Sequence, residues 1–152
     1  MEVIDYEKMD HLSVLSFGVF CLFPASAAFY DNSAQYLAMS ASKSLQTYID
    51  TASVVSATYY PPFYIIQADI IYHDQSTGLI TRSTERYYYD SDAGTVSVKT
   101  VHSFLCDEDG NVTEIESPIS LDMKLPLTPG NDSFKIADLL FSQIYHIPFS
   151  EL

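Results

Sequence analysis

The residues that could carry chemistry are few, and the first pair is a histidine and a cysteine on one predicted strand. An imidazole beside a thiol is the arrangement of a cysteine nucleophile and its base. His102 and Cys106 are four residues apart, which is about 13 Å along an extended strand. The two side chains therefore cannot meet along that strand, and we predict that Cys106 is a buried or edge cysteine.

The other titratable groups also have plain structural interpretations. His73 and Asp74 lie at a strand end beside a turn, which favours a solvated pair. The run Asp107-Glu108-Asp109-Gly110 resembles the start of a calcium loop, but Pro118 stands where such a loop needs a bidentate Glu. We expect a hairpin turn there instead. The sequence predicts no catalytic, cofactor-binding or metal-binding residues, and hence no enzyme.

Two tyrosine-rich runs, residues 59–64 and 87–89, give the best indication of function. Neighbouring side chains on a strand point to opposite faces, so at least one ring of each run should reach solvent. An exposed tyrosine offers a flat apolar ring and a hydroxyl, which suits contact with a peptide, a glycan or a protein. We select Tyr59, Tyr60 and Tyr88 as partner-contact residues. The alternative is that these rings close the open edge of a small half-barrel.

These residues are predicted to lie on the strands of an antiparallel meander. Runs rich in β-branched and aromatic residues alternate with turns that contain Gly, Pro or Asp. Val101 breaks the alternation of the last long strand, which predicts a β-bulge. The predicted strands are Thr47–Val55, Phe63–His73, Leu79–Tyr89, Thr95–Leu105 and Val112–Glu116.

A helix is predicted near the C-terminal end of the sequence. Asn131-Asp132-Ser133 offers an N-cap, and Pro148 ends the helix. Residues 31–44 fit either a helix or a strand and loop, and residues 118–129 predict a crossing loop with an edge strand. The fold class is therefore α+β, a meander of about five or six strands packed by one C-terminal helix. The apolar stripe of that helix is Phe134, Ala137, Phe141, Ile144 and Tyr145.

Composition and charge limit the kinds of partner. The chain has 152 residues, which is enough for one domain, and 47% of them are hydrophobic. Its formal net charge is -13. An acidic surface of this kind repels phosphate, which excludes nucleic acid and anionic lipid as expected partners.

The N-terminal stretch has the layout of a secretory signal peptide. Leu12–Phe23 is apolar and uncharged, and Pro24 and the small residues 25–28 follow it. The apolar block is too short to span a bilayer, which takes about 20 residues. We predict a signal peptide at residues 1–28, with an atypical acidic extension at its start, and a single β-rich domain at residues 29–152. The alternative is that the apolar block belongs to the fold and that the protein stays in the cytoplasm.

A resemblance to a known group adds to this prediction. The carrying features are Tyr48-Ile49-Asp50-Thr51-Ala52-Ser53-Val54, the strand at 63–73, the YYYD run at 87–90, a D-x-x-G turn and the helix sequence ADLLFSQIY. In that order they resemble the small exported proteins grouped with or near the surface-adhesin protein E-like domains. The resemblance implies a signal peptide, a meander, a role in adhesion or another surface interaction, and no catalytic residues.

The sequence thus favours a non-enzymatic, exported, acidic domain that binds a protein or glycan at or near the bacterial cell envelope. The expected location is the periplasm, the cell surface or the medium, with no integral membrane span once the signal peptide is removed. Two alternatives remain open. One is an intracellular acidic inhibitor that imitates nucleic acid, and the other is a small-ligand carrier with a cavity between sheet and helix.

Overall fold

The computed structural model describes residues 28–42, 44–116 and 123–152. Residues 1–27, which hold nearly all of the predicted signal peptide, lie outside this part of the chain, as do residues 117–122 of the predicted crossing loop. The elements are α1 (Ala28–Asp31), β1 (Tyr36–Ala41), β2 (Leu45–Tyr60), β3 (Phe63–Asp74), β4 (Leu79–Asp90), β5 (Thr95–Cys106), β6 (Val112–Glu116), β7 (Leu125–Pro126), α2 (Asp132–Tyr145) and a 3₁₀ turn (Phe149–Glu151).

The strands form one antiparallel sheet in the order β1-β2-β3-β4-β5-β6, and the short β7 pairs with β5. The predicted α+β meander with one C-terminal helix is confirmed. In the ambiguous segment at 31–44, Asp31 ends α1 and Tyr36–Ala41 forms β1. The turn after β2 contains a cis peptide bond between Pro61 and Pro62.

The bulge predicted at Val101 is confirmed, and it determines which side of the sheet each β5 side chain occupies. Thr100 pairs with Glu85 and His102 pairs with Thr84, which leaves Val101 as the extra residue. Because one residue is inserted, even-numbered side chains point to one side of the sheet before the bulge and to the other side after it. Val96 and Cys106 therefore belong to two different cores.

The side of the sheet that α2 covers, here called the helix side, carries the main core. The Asn131 side chain caps α2 by accepting a 2.7 Å hydrogen bond from the Phe134 N–H. The helix buries Ile136, Ala137, Leu140 and Phe141. Of these four residues, the predicted stripe contains only Ala137 and Phe141. The centre of the stripe is thus rotated from the prediction, and Phe134, Ile144 and Tyr145 lie half-buried at its margins.

The opposite side of the sheet, here called the far side, has a smaller second core that the sequence did not predict. It consists of Tyr30, Tyr48, Ile71, Ile80 and Cys106 with Tyr36 packed against them. Helix α1 supplies Tyr30, which is 2% exposed. The Tyr48 hydroxyl donates a 2.7 Å hydrogen bond to the Asp31 carboxylate, which ties α1 to β2. Only part of the far side is covered in this way.

Candidate functional site

The rest of the far side forms an exposed surface, here called the open face. Strand register defines it, because cross-strand partners share one side of a sheet. Tyr60 pairs with Phe63, Ile65 with Tyr88, and Gln67 with both Val55 and Arg86. The β4–β5 pairing adds two more residues to the same surface. The open face is Val55, Tyr60, Phe63, Ile65, Gln67, Arg86, Tyr88, Ser97 and Lys99.

Large apolar side chains stand out on the open face. Tyr60 is 72% exposed and Phe63 is 52% exposed, side by side at the β2–β3 turn. Val55, which lies on β2 with Tyr60, is also exposed. Pro61 and Pro62 restrict the backbone of the turn between Tyr60 and Phe63. The two rings therefore extend from neighbouring strand ends on one side of the sheet.

A shallow hollow of about 340 Å³ lies next to these rings. Its apolar wall includes Phe63, Ile65 and Tyr88. The Lys124 ammonium sits 3.9 Å from the centre of the Tyr88 ring, at cation–π distance. The remaining polar lining residues are Asp90, Thr95 and Ser97.

The far side also concentrates the positive charge of an acidic protein. The chain has seven Lys and Arg residues, of which Lys8 and Lys43 lie outside the described residues. Of the other five, one is on α2 and four are on the far side, namely Arg82, Arg86, Lys99 and Lys124. On the open face, Arg86 and Lys99 are direct cross-strand partners.

The four far-side cations are in different settings. The Arg86 Nε–H donates a 2.9 Å hydrogen bond to the Gln67 side-chain oxygen, so this guanidinium has a neutral partner there. Arg82 instead lies between two carboxylates, with its Nη2 2.6 Å from Asp69 and 3.2 Å from Asp50. Burial lowers the pKa of Arg82, but the hydrogen bonds and charge of Asp69, together with the charge of Asp50, outweigh burial and leave it raised. Arg82 is thus neutralised within the fold.

The Arg82 cluster separates the second core from the open face. Gln35 donates a 2.8 Å hydrogen bond to Asp50, and Thr84 donates a 2.6 Å hydrogen bond to Asp69. Asp50 is almost fully buried. A buried carboxylate needs such partners because an unpaired one is costly. The donors to both carboxylates come from within the chain, so we assign the cluster a structural role.

The three predicted contact residues do not share one surface. Tyr60 and Tyr88 are both on the open face, whereas Tyr59 pairs with Tyr64 on the helix side and its ring lies 5.6 Å from that of Tyr145. Tyr59 is nevertheless 66% exposed, and Tyr88 is half-buried near Lys124. The run at 59–64 brings rings to solvent as expected, whereas in the run at 87–89 the outward-facing ring, Tyr88, is only half-buried. Sequence reasoning missed Phe63 and Lys124, although the first follows from its pairing with Tyr60.

The other tyrosines of the second run are structural. Tyr87 and Tyr72 each donate a hydrogen bond to the buried Glu85 carboxylate, at 2.6 and 2.8 Å. Burial raises the pKa of Glu85, although the two hydroxyl donors oppose that shift. Burial also raises the pKa of Tyr87 and of Tyr89. The Tyr89 hydroxyl donates to a backbone carbonyl of α2, so this ring locks the helix to the sheet.

One histidine prediction is wrong, and the cysteine prediction is confirmed. His73 is 3% exposed rather than solvated, because it is on the far side next to the second core. Its Nδ1 has no hydrogen-bond partner among the described residues. Cys106 is buried as expected, and burial raises the pKa of its thiol. His102 is exposed and its ring lies 6.3 Å from that of Phe104.

The acidic turn after β5 is a hairpin turn, as predicted. The Asp107 carboxylate accepts hydrogen bonds from the backbone N–H groups of Asp109 and Asn111. The Asn111 hydrogen bonds lower the pKa of Asp107. Across residues 28–42, 44–116 and 123–152, no three His, Cys, Asp or Glu side chains are grouped as a metal site would require. In the same ranges, no helix has the length and apolarity needed to cross a membrane.

Comparison with known protein families, with curated proteins and with solved structures gives no match to this chain. The candidate site therefore depends on the geometry of the open face alone.

Proposed function

We propose that this protein is a non-enzymatic, exported, acidic domain that binds a protein or glycan partner at or near the cell envelope through its open face. The observation that carries the proposal is the pair of exposed rings, Tyr60 and Phe63, beside a hollow in which Lys124 covers Tyr88. Exposed aromatic side chains next to basic groups are typical of interaction surfaces.

The far side supports this proposal better than the helix side. Aromatic residues and arginine dominate the energy of many interfaces. Tyr60 and Phe63 flank the Pro61–Pro62 turn on one side of the sheet, and the Lys124 ammonium lies over the Tyr88 ring. On the helix side, the rings of Tyr64, Phe141 and Phe149 are used in the core.

Export is supported by the composition of residues 12–28 and by the resemblance of the later segments to small exported proteins. The position of Tyr30 fits the proposed boundary. Its ring is part of the second core, so a domain that starts at residue 29 keeps it and one that starts a few residues later loses it.

The two alternatives have less support. A small-ligand carrier with a cavity between sheet and helix needs free space there, but the rings of Tyr64, Tyr89, Phe141 and Phe149 contact one another in that layer. An acidic inhibitor of a nucleic-acid-binding protein needs a continuous negative surface, whereas the far side carries Arg86, Lys99 and Lys124.

The binding part of the proposal is tested with two neighbouring tyrosines. Purified wild type, Tyr60→Ala and Tyr59→Ala are immobilised and incubated with envelope fractions from the source cells. Tyr59 is the matched control, since it is similarly exposed but lies on the helix side. We expect a specific partner to be retained by wild type and by Tyr59→Ala, and lost from Tyr60→Ala. Equal retention by all three, or retention by none, contradicts the proposal.

The export part is tested independently of binding. The natively expressed protein is recovered from separated cell fractions, and its N-terminus is sequenced. We expect a mature chain that begins near Phe29 and is found outside the cytoplasm. A cytoplasmic chain that keeps residues 12–28 contradicts export and favours the acidic inhibitor.

A further inference from the structure

We propose that the hollow on the open face recognises a sugar unit that carries a carboxylate, so that the glycan branch of the proposed function is an acidic glycan. This inference rests on the proposed function and names the ligand class for the same surface. It depends on the size of the hollow, on the chemistry of its lining and on the arrangement of the charges around it.

The size and lining of the hollow fit a sugar. A volume of about 340 Å³ is at the small end of the range for ligand sites, about 300–1,000 Å³. Phe63 and Ile65 supply apolar surface on which the C–H face of a sugar ring can pack, and Thr95, Ser97 and Asp90 supply hydroxyl and carboxylate groups. Hydroxyl side chains both donate and accept, and an ionised carboxylate accepts, so the lining can satisfy a ligand rich in hydroxyl groups.

The charges point to an acidic sugar rather than a neutral one. The Lys124 ammonium lies above the Tyr88 ring, at the edge of the hollow. Arg86 is two positions before Tyr88 on the same strand and the same face, and its Nε–H donates to the neutral Gln67 side chain. A ligand carboxylate in the hollow can therefore form a charge-assisted hydrogen bond with Lys124, and Arg86 adds positive charge beside the hollow.

One acidic residue in the hollow distinguishes a sugar from an acidic peptide. Asp90 lines the hollow, and one of its oxygens accepts a hydrogen bond from the Ala93 N–H. Its negative charge, which is part of the net charge of -13, repels a ligand with closely spaced carboxylates. A sugar with widely spaced carboxylates can instead donate a hydroxyl to Asp90 and place its own carboxylate near Lys124.

The test compares three probes of defined chemistry by two-dimensional NMR of the ¹⁵N-labelled protein. The first is a hyaluronan tetrasaccharide, which has a carboxylate on every second sugar. The second is chitotetraose, which has the same length and no carboxylate, and the third is a capped Gly-Glu-Gly-Glu peptide with the same number of carboxylates. We expect the hyaluronan fragment to shift the resonances of Ile65, Tyr88 and Ser97, and to bind about tenfold more tightly than either of the others.

Three variants locate the site and identify the chemistry. Lys124→Gln should weaken binding of the hyaluronan fragment about tenfold, whereas Lys135→Gln should leave it unchanged. Lys135 is the matched control because it is an exposed lysine on α2, paired with Asp132. Asp90→Asn keeps an oxygen for the Ala93 N–H, and it should weaken sugar binding but strengthen any binding of the peptide.

Three outcomes overturn the inference. Equal binding of peptide and sugar, with tighter binding to Asp90→Asn, means that charge alone is recognised. An unchanged affinity of Lys124→Gln places the site elsewhere. Binding of none of the probes removes the acidic glycan as the ligand class, while the proposed function still stands or falls on the comparison of Tyr60→Ala with Tyr59→Ala.

Discussion

Tyrosines on the two sides of this sheet have opposite environments, although they alternate along the same strands. On the helix side, Tyr72 and Tyr87 donate to Glu85, and Tyr89 donates to a carbonyl of α2. On the open face, Tyr60 projects into solvent and Tyr88 lies near Lys124. A tyrosine that stabilises the fold is therefore one whose hydroxyl has a partner in the core, and a tyrosine available for contact is one whose ring faces solvent.

The largest effect expected from this comparison is on stability. Phe141 is 1% exposed, and its ring contacts those of Tyr64, Tyr89, Tyr145 and Phe149. Phe141→Ala removes a ring from the main core and leaves a cavity, so we expect a loss of about 3–5 kcal/mol in the free energy of unfolding. Urea unfolding followed by circular dichroism measures it.

The matched control for that variant is on the other side of the sheet. Phe63→Ala also removes a phenyl ring, but this ring is 52% exposed on the open face. We expect a change within about 0.5 kcal/mol. If Phe63→Ala costs as much as Phe141→Ala, the open face is part of the core and the comparison fails.

A substitution in the second core is expected to cost an amount of stability between those of Phe141→Ala and Phe63→Ala. Tyr30→Ala should lower the free energy of unfolding by about 3 kcal/mol, since the ring is buried against Tyr48 and the second-core aliphatics. Its neighbour Phe29 is 42% exposed, so Phe29→Ala should cost about 1 kcal/mol or less. Equal losses in the two variants would show that α1 does not seal the second core.

The sequence was sufficient for the elements that local pattern controls. The alternation of side chains along each run and the turn residues between runs located the long strands. The break in that alternation at Val101 located the bulge. The helix cap at Asn131 followed from its side-chain chemistry. Each of these depends on residues within a few positions of one another, which is the range that a single sequence reports directly.

Features that depend on distant residues were missed. In the second core, Tyr30 contacts a cluster formed by Ile71, Ile80 and Cys106, which lie on three different strands. Tyr30 itself comes from a helix of only four residues. His73 was expected in solvent because it precedes a turn, but that core lies beside it. The hollow also needs Lys124, which reaches Tyr88 only because β7 pairs with β5. Local pattern carries no signal for these contacts.

A smaller effect is expected in the pH dependence of stability. Burial raises the pKa of Glu85, so the folded state holds its proton to a higher pH than the unfolded state does. The stability contributed by the protonated form is fully present below the unfolded pKa and is lost as the pH rises through the folded pKa. Glu85→Gln cannot ionise, and its free energy of unfolding should fall less over this interval than that of the wild type.

This prediction is checked by urea unfolding of both proteins at a series of pH values from acid to neutral. Ser83→Ala is the control, since this buried side chain on the same strand has no group that ionises in this pH range. It should leave the slope over the Glu85 interval unchanged. A Glu85→Gln variant with the slope of the wild type would mean that Glu85 is ionised as readily in the fold as in water.

The smallest effect on stability is expected at the two tyrosines that the binding test uses. Tyr59 makes ring contacts with Tyr64 and Tyr145, so Tyr59→Ala should cost about 0.5–1 kcal/mol. Tyr60 is 72% exposed and lies on the other side of the sheet, so Tyr60→Ala should change stability by less than about 0.5 kcal/mol. Thermal unfolding of the two variants side by side measures both.

The order of these two effects is what gives the binding test its meaning. If Tyr60→Ala loses the partner while it is the more stable of the two variants, the loss cannot come from unfolding and must come from the missing ring. If Tyr60→Ala is instead the less stable variant, Tyr60 has structural contacts like those of Tyr59. The division of the tyrosines by the side of the sheet they occupy would then be wrong.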